Sequence, residues 1–254
     1  MTEFRPLTIG IDATNLRGGG GVTHLLELLR VEQPLKHGIE RIVIWGSKST
    51  LNMCCNRSWL DKKTPSMLDK GLLKRTFWQR FRLAQAARDE GCDLLFVPGG
   101  SYAGDFYPVV TMSQNLLPFE TNELRRYGWT LFTLKLLLLR FIQSASFKKA
   151  DGVIFLTQYA RNVVLGFIGK LQGKTRIIPH GLNTRFYKEP KLQRPIADYD
   201  DAQPYRILYV SIIDQYKHQW HVVDAVAALR KLGMSIVLDL VGPAYPPALR
   251  RPNA

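Results

Sequence analysis

The stretch from Leu7 to Thr23, LTIGIDATNLRGGGGVT, decides how the chain folds. It begins with a short apolar run, Leu7 to Ile11, which is typical of a buried strand, and turns through the glycines Gly18 to Gly21 into a helical pattern. A strand, a glycine turn and a helix start leave bare backbone N–H groups at the positive end of a helix dipole, where anions bind. The pattern predicts a phosphate site in this turn, and the alternative is a flexible loop.

Two common phosphate motifs do not fit this turn. A dinucleotide fingerprint needs G-x-G-x-x-G, and counting from Gly18 places its last glycine on Thr23. A P-loop ends in Gly-Lys-Ser/Thr, whereas Val22 follows Gly21 here. The phosphate interpretation therefore stands, while the dehydrogenase and NTPase classes are disfavoured.

The composition favours a globular protein with anionic partners. The chain has 254 residues, of which 46% are hydrophobic and 22% charged, and its net charge is +14. This length fits one large or two small domains, and this charge favours phosphates, acidic lipids or nucleic acid as partners. Three cysteines form no disulfide or metal pattern, and the N-terminus has no apolar signal segment. We therefore expect a cytoplasmic protein.

Strands and helices alternate along the chain, which predicts an α/β fold with a Rossmann-like, doubly wound parallel sheet. The further predicted strands are Arg41–Trp45, Asp93–Val97, Pro108–Met112, Gly152–Leu156 and Thr175–Ile178. The predicted helices are Val22–Leu35, Thr76–Glu90, Asn122–Lys149 and Gln158–Ile168. Phe77 and Phe81 are part of the apolar spacing of the second helix. Residues 47 to 75 give no clear pattern.

A polar segment with three prolines, residues 184–204, predicts a linker. It separates an N-terminal Rossmann-like domain, residues 1–183, from residues 205–254, which contain one strand–helix–strand unit and predict an incomplete second Rossmann-like domain. The pair Asp198-x-Asp200 within the linker follows no apolar strand that would position it. We interpret it as solvated charge rather than as a metal site.

The order of motifs resembles the family 4 retaining glycosyltransferases, whose two Rossmann-like domains face a cleft in the GT-B arrangement. The segments that carry the resemblance are Gly18–Val22, Thr111–Pro118, Val153–Tyr159, Ile177–Asn183, Ile207–Gln219 and Leu238–Pro243. They resemble, in order, the family's glycine loop, its V-x-H-D/N-x-x-P segment, a late strand of the first domain, its I-P-N-G-V-D signature and the first two strands of the nucleotide-sugar domain. The resemblance covers nearly the whole chain.

Three departures from the family pattern change what the resemblance implies. Gln114 stands where the family has a histidine, and Ile212 stands where it has an arginine, although the following lysine is kept as Lys217. The chain also ends before the family's E-x7-E segment. The resemblance thus implies a chain truncated within the C-terminal domain, and we expect this chain alone to be inactive.

The resemblance implies a retaining, hexosyltransferase-like enzyme without cofactor or metal. It would transfer a sugar from a nucleotide-diphosphate sugar to a cell-envelope glycan or a lipid-linked acceptor. Gly20, Gly21 and Lys217 would bind the donor diphosphate, and Gln114 or Asn115 would contact the acceptor or the sugar. The alternative for Lys217 is an ordinary exposed lysine. No catalytic residue is assigned, and His180, between a proline and a glycine, is interpreted as capping the backbone.

The predicted helix Asn122–Lys149 is rich in basic and aromatic residues. We predict that it meets an anionic membrane surface through five residues, Arg125, Arg126, Trp129, Lys135 and Arg140. The alternative is a core helix whose basic residues face water. The apolar run Leu136–Leu139 is too short to span a bilayer. This predicts a peripheral position on the inner face of the cytoplasmic membrane.

A rival hypothesis treats the chain as a non-catalytic fragment or the product of a split gene. Such a chain would bind a membrane, or a second chain that supplies the rest of the C-terminal domain. A nucleic-acid binder is disfavoured, because only the net charge supports it and no known binding motif is present.

Overall fold

The computed structural model describes residues 5–30 and 33–249, which form two compact units. The first unit comprises Met1–Glu120 and Leu131–Gly181, and the second comprises Thr121–Thr130 and Leu182–Ala254. The division near residue 181 lies close to the predicted linker. The second unit also includes residues 121–130, which the sequence assigned to the first domain.

A seven-stranded parallel sheet forms the centre of the first unit. Its strands are β1 (Leu7–Ala13), β2 (Ile39–Gly46), β3 (Leu60–Lys63), β4 (Leu94–Val97), β5 (Val109–Ser113), β6 (Gly152–Phe155) and β7 (Lys174–Ile177). They lie in the order β3-β2-β1-β4-β5-β6-β7, and each neighbouring pair is parallel. This is the predicted doubly wound sheet.

Helices connect the strands. They are α1 (Gly19–Leu28), α2 (Lys48–Leu51), α3 (Leu72–Phe81), α4 (Leu83–Asp89), α5 (Thr121–Arg126), α6 (Leu131–Lys149), α7 (Gln158–Ile168) and α8 (Gln219–Lys231). Short 3-10 helices occur at Pro34–His37, Ser66–Asp69, Leu117–Phe119, Thr184–Phe186, Ile196–Asp198, Gln215–Lys217 and Pro246–Leu249.

Apolar side chains cover both faces of the sheet, and each face has its own core. One cluster packs strand residues such as Ile11 against Leu25 of α1. The other packs Leu95 of β4 against Leu83 of α4 and Phe147 of α6. A parallel sheet needs cover on both faces, which explains why its central strands are continuous apolar runs.

Three predicted helices differ from those in the structure. Thr76–Glu90 is replaced by α3 and α4, which meet at Arg82. Asn122–Lys149 is replaced by α5 and α6, and Gly128 between them has φ +61°, a left-handed conformation that glycine tolerates and that interrupts a helix. The predicted helix Val22–Leu35 is α1, which begins three residues earlier and ends at Leu28, where the chain turns; residues 31 and 32 lie outside the described residues.

The second unit contains a parallel pair of strands, β8 (Tyr205–Val210) and β9 (Ile236–Val241), joined through α8. Helix α5 belongs to this unit. The Tyr127 hydroxyl just after it donates a hydrogen bond to Asp214 Oδ1 at 2.7 Å, and His218 Nε2 lies 3.3 Å from Glu123 Oε2. These contacts attach residues 121–130 to the turn after β8.

Candidate functional site

The glycine turn lies where the winding of the sheet reverses. β1 pairs with β2 on one side and with β4 on the other, and the chain reaches β4 only after passing through β3. The loops after β1 and β4 therefore diverge. In parallel sheets, ligands bind in the crevice at the carboxyl ends of the strands at such a switch point.

The start of α1 is uncapped and has room for a ligand. Gly18 precedes the first helical residue and has no side chain that could cap the helix, and Gly19 has φ +65°. No atom lies within 4 Å of the place where a Cβ would stand on Gly18, Gly19 or Gly20. Because the first N–H groups of a helix have no partner within it and carry the positive end of its dipole, this turn suits an anion. A side chain added at Gly20 would therefore extend into the open space in front of this helix start.

Gly21 packs against the end of β5. A Cβ there would lie 3.1 Å from Leu16 Cδ2 and 3.4 Å from Gln114 Oε1, so the glycine lets Gln114 approach α1. Asn115 has a local role, because its Oδ1 accepts a hydrogen bond from the Leu117 N–H at 3.1 Å. The predicted sugar or acceptor contacts of Gln114 and Asn115 stay predictions, with Gln114 placed beside the turn.

A buried polar network joins the ends of β1 and β4 to α3. The Asp12 carboxylate accepts hydrogen bonds from the Thr14 N–H, at 3.0 Å, and from Gln79 Nε2. Gln79 Nε2 also donates to the carbonyl oxygen of Ser101 at 3.0 Å. Arg75 Nη1 of the same helix donates to the carbonyl oxygen of Thr14 at 3.4 Å. No motif in the sequence indicated this network, although the carboxylate of Asp12, which ends an apolar strand, was a signal of it.

Two atoms of the network are buried and have no hydrogen-bond partner among the residues that the structure describes. They are Ser101 Oγ and Arg75 Nε. Burying a polar group without a partner is unfavourable, so these two atoms lower the stability that the network provides. Burial raises the pKa of Asp12, and the hydrogen bonds from Thr14 and Gln79 partly offset that rise.

Two histidines meet in the first unit. The ring centroids of His24, in α1, and His180, after β7, are 4.6 Å apart. Burial lowers the pKa of His24, and His180 adds a smaller lowering. The structure packs His180 against this ring, whereas the sequence suggested that it caps the backbone. Across residues 5–30 and 33–249, no three His, Cys, Asp or Glu side chains are grouped so as to hold a metal ion.

Lys217 lies in the second unit, at the end of a 3-10 helix after β8. Asp214 begins this turn by accepting a hydrogen bond from the Gln215 N–H at 2.7 Å. The carbonyl oxygen of Lys217 accepts from the Tyr209 hydroxyl at 2.7 Å, and its Nζ lies 4.9 Å from the ring centroid of Tyr216. Its backbone is thus fixed, and its role at a diphosphate stays a prediction.

The residues predicted to meet a membrane are divided between the units. Arg125, Arg126 and Trp129 lie in the second unit, and Lys135 and Arg140 lie in the first. Arg126 pairs with Glu123 at 3.2 Å, and the Arg140 guanidinium lies over the ring of Phe167, 4.5 Å from its centroid. Trp129 is exposed. Within the described ranges, no helix has both the length and the apolar character that crossing a membrane needs.

Comparison with solved structures shows the fold. The chain is similar to Alr3699/HepE of Anabaena, crystallised in complex with UDP and glucose, with a TM-score of 0.56 and 16% identity over 94% of this chain. It is also similar to sucrose-phosphate synthase from Thermosynechococcus elongatus, with a TM-score of 0.60 and 16% identity over 95% of this chain. The chain spans 62% and 63% of those two chains. The predicted Rossmann-like fold is confirmed.

Comparisons of sequence add nothing to this likeness. No protein-family model matches the chain, and a search of curated proteins finds no match.

Proposed function

We propose that the protein is a glycosyltransferase of the GT-B type that takes its sugar from a nucleotide-diphosphate sugar. The fold that it shares with a sucrose-phosphate synthase, and with a protein crystallised with UDP and glucose, supports this proposal. The observation that carries it is the uncapped, open start of α1 at the switch point of the sheet. A diphosphate is the kind of ligand that such a helix start binds.

In this proposal the donor diphosphate meets the glycine turn through Gly20 and Gly21, and Lys217 is the cation that stabilises the leaving diphosphate. A lysine ammonium is a compact charge that suits this task, because transition-state charge is best met by a preorganised group. The reaction proposed is hexosyl transfer with retention, and it uses no metal and no cofactor besides the donor substrate.

The proposed acceptor is a cell-envelope glycan or a lipid-linked glycan. Gln114 and Asn115, just after β5, are the candidate contacts to the acceptor or the sugar, and Gln114 lies beside the glycine turn. The net charge of +14 supports anionic partners, and we propose a cytoplasmic protein that works at the inner face of the cytoplasmic membrane.

A second candidate is a non-catalytic role in which the second unit binds another chain. Strand β8 exposes Leu208 and Val210, at 64% and 67%. Apolar side chains exposed on a strand offer a surface to a partner. A chain with this role binds a partner but does not turn over a nucleotide sugar.

Isothermal titration calorimetry with a panel of nucleotide-diphosphate sugars tests the donor site. We expect Gly20→Val to weaken donor binding by about ten-fold or more, because a branched side chain fills the open side of the turn. Valine is no worse than glycine within a helix, so the fold persists. Gly166→Val is the matched control, since Gly166 also lies in a helix with no atom within 4 Å of its missing Cβ.

Lys217→Met tests the second contact, because methionine keeps much of the length and removes the charge. We expect about a ten-fold loss of affinity for nucleoside diphosphates. Equal donor affinity in the wild type and Gly20→Val would exclude the glycine turn as the diphosphate site. Failure of every donor to bind the wild type would favour the non-catalytic role.

A further inference from the structure

The segment from Lys70 to Arg82, KGLLKRTFWQRFR, contains helix α3 and is strongly basic. It has five basic residues and no acidic residue. Arg75 turns toward the polar network at the end of β1. The other four are exposed, namely Lys70, Lys74, Arg80 and Arg82. The outer side of α3 is therefore a positively charged surface.

Large apolar side chains stand on the same outer side. Leu73, Phe77 and Phe81 follow at intervals of four residues, which places them along one face of the helix, and they are 86%, 49% and 61% exposed. The rings of Phe77 and Phe81 have their centroids 4.9 Å apart. The guanidinium carbon of Arg80 lies 5.3 Å from the centroid of Phe81. This row of apolar residues among cations is what we call the α3 surface.

The opposite face of α3 belongs to the interior. Trp78 is part of the core, and Gln79 is bonded to Asp12 and to the carbonyl oxygen of Ser101. Packing and hydrogen bonds on the inner face fix the position of α3, so its outer face is not needed to hold the helix in place. One helix thus connects the α3 surface to the polar end of β1.

We propose that α3 is an interfacial helix that binds the surface of an anionic lipid bilayer. Leu73, Phe77 and Phe81 enter the boundary between headgroups and acyl chains, as the apolar faces of amphipathic helices do. Lys74 and Arg80 lie among anionic headgroups, whose negative potential attracts basic side chains. Charge complementarity assigns this occupant, since the exposed apolar side chains stand among basic residues and residues 70–82 contain no acidic residue.

The inference rests on the proposed function in one respect only. A bilayer bound by the outer face of α3 lies one helix diameter, about 10 Å, from the end of β1 on the inner face, so it would bring a lipid-linked acceptor close to the glycine turn. The binding of the bilayer itself needs no donor and no transfer. Donor binding and bilayer binding therefore fail or hold separately.

Helix α6 is the element to compare with α3, because its outer side is also apolar. Its exposed apolar residues include Leu131, Leu134, Leu138 and Phe141. Its basic residues are Lys135, Arg140, Lys148 and Lys149; the last two lie in its final turn, and the Arg140 guanidinium covers the ring of Phe167. Along the exposed apolar residues 131–141 the exposed cation is Lys135, so this part of α6 offers less positive charge to a membrane than α3 does, and the assignment goes to α3.

Co-sedimentation with vesicles of phosphatidylcholine, with or without phosphatidylglycerol, tests the proposal on the full chain. We expect the wild type to bind only the vesicles that contain phosphatidylglycerol, and the binding to fall as salt rises. The double variants Phe77→Ser/Phe81→Ser and Lys74→Gln/Arg80→Gln should each lower the partition coefficient by about ten-fold or more. These side chains are exposed, so the fold should persist, which circular dichroism checks.

Leu134→Ser/Leu138→Ser is the matched control, because it removes two exposed apolar side chains from α6, and it should leave the binding unchanged. Equal binding by the wild type and both α3 variants would overturn the proposal, as would binding that ignores phosphatidylglycerol. A loss confined to the α6 variant would move the contact to α6 and overturn it too. A wild type that leaves the vesicles and dimerises through Phe77 and Phe81 would identify a second copy as the occupant instead.

Discussion

The two units contain the same motif, parallel strands joined through a helix, but they bury it to different extents. Strand β1 is buried over its last four residues, whereas β8 alternates between half-buried and exposed residues along its whole length. The buried apolar residues among those described in the second unit are Leu124, Tyr127, Val226, Ile236 and Ala248. Parallel strands are stable when both faces are covered, and only the first unit provides that cover. We therefore expect the first unit to be more stable than the second, although both contain the same motif.

Removing a core side chain from each unit tests this comparison most strongly. Phe147 is fully buried, with its ring centroid 6.2 Å from that of Phe119 and 6.4 Å from that of Phe155. We expect Phe147→Ala to lower the free energy of unfolding of the first unit by about 3–5 kcal/mol. Val226→Ala, in the second unit, should cost only about 1–2 kcal/mol, since it removes two methyl groups. Urea denaturation followed by circular dichroism measures both.

Phe81→Ala is the control for these core variants, because Phe81 is exposed and its removal should change stability by less than about 0.5 kcal/mol. Equal losses for Phe147→Ala and Val226→Ala would show that the two cores are equally well packed, contrary to the comparison.

Hydrogen exchange on the unmodified chain sharpens the comparison residue by residue. Amides of β1 pair with strands on both sides, whereas β8 pairs with β9 alone. We expect amides of Ile9 to Ile11 to exchange about 100-fold more slowly than those of Ile207 to Tyr209, because local opening is easier where few apolar contacts are lost. Mass spectrometry of peptic fragments measures this, and similar protection in both strands would contradict it.

The smallest expected effect concerns His24, in α1 of the first unit. Its pKa is lowered from about 6.5 by burial and then by His180. The folded state therefore binds fewer protons than the unfolded state, and stability falls as the pH drops from about 6.5 toward the lowered pKa. NMR titration should find the His24 midpoint below 6.5, and His180→Asn should raise it part of the way. A midpoint at or above 6.5 would contradict the burial of this ring.

The fold of the first unit could be predicted because most of its strands are apolar runs. The exception is β3, Leu60–Lys63, where one leucine precedes three charged residues. It lies at the edge of the sheet, so it needs no continuous apolar pattern, and the sequence gives no strand signal there. Similarly, Phe77 and Phe81 fit a helical apolar spacing, but Trp78 occupies the buried face and leaves them exposed.

The candidate site could be predicted only where it is local in the sequence. The glycine turn is one continuous stretch, and the structure gives it an uncapped helix start. The polar network is not local, because Asp12 and Gln79 are 67 positions apart and their pairing depends on how α3 returns to the sheet. No sequence motif indicates such a pairing. The likeness to known folds predicts the order of the strands and helices, but it does not predict the hydrogen bond between Asp12 and Gln79.

The placement of residues 121–130 has a consequence for how the chain is made. Thr121–Thr130 belongs to the second unit, although the chain on both sides of it belongs to the first. Tyr127 donates its hydrogen bond to Asp214, which is 87 positions later in the chain. A ribosome delivers the N-terminal part first, so this segment leaves the ribosome long before its partner exists. Strands β6 and β7 precede Asp214 in the chain, so they can complete the large sheet before the partner of Tyr127 has been synthesised. The second unit therefore cannot be produced from residues 182–254 as a single continuous fragment that keeps this bond.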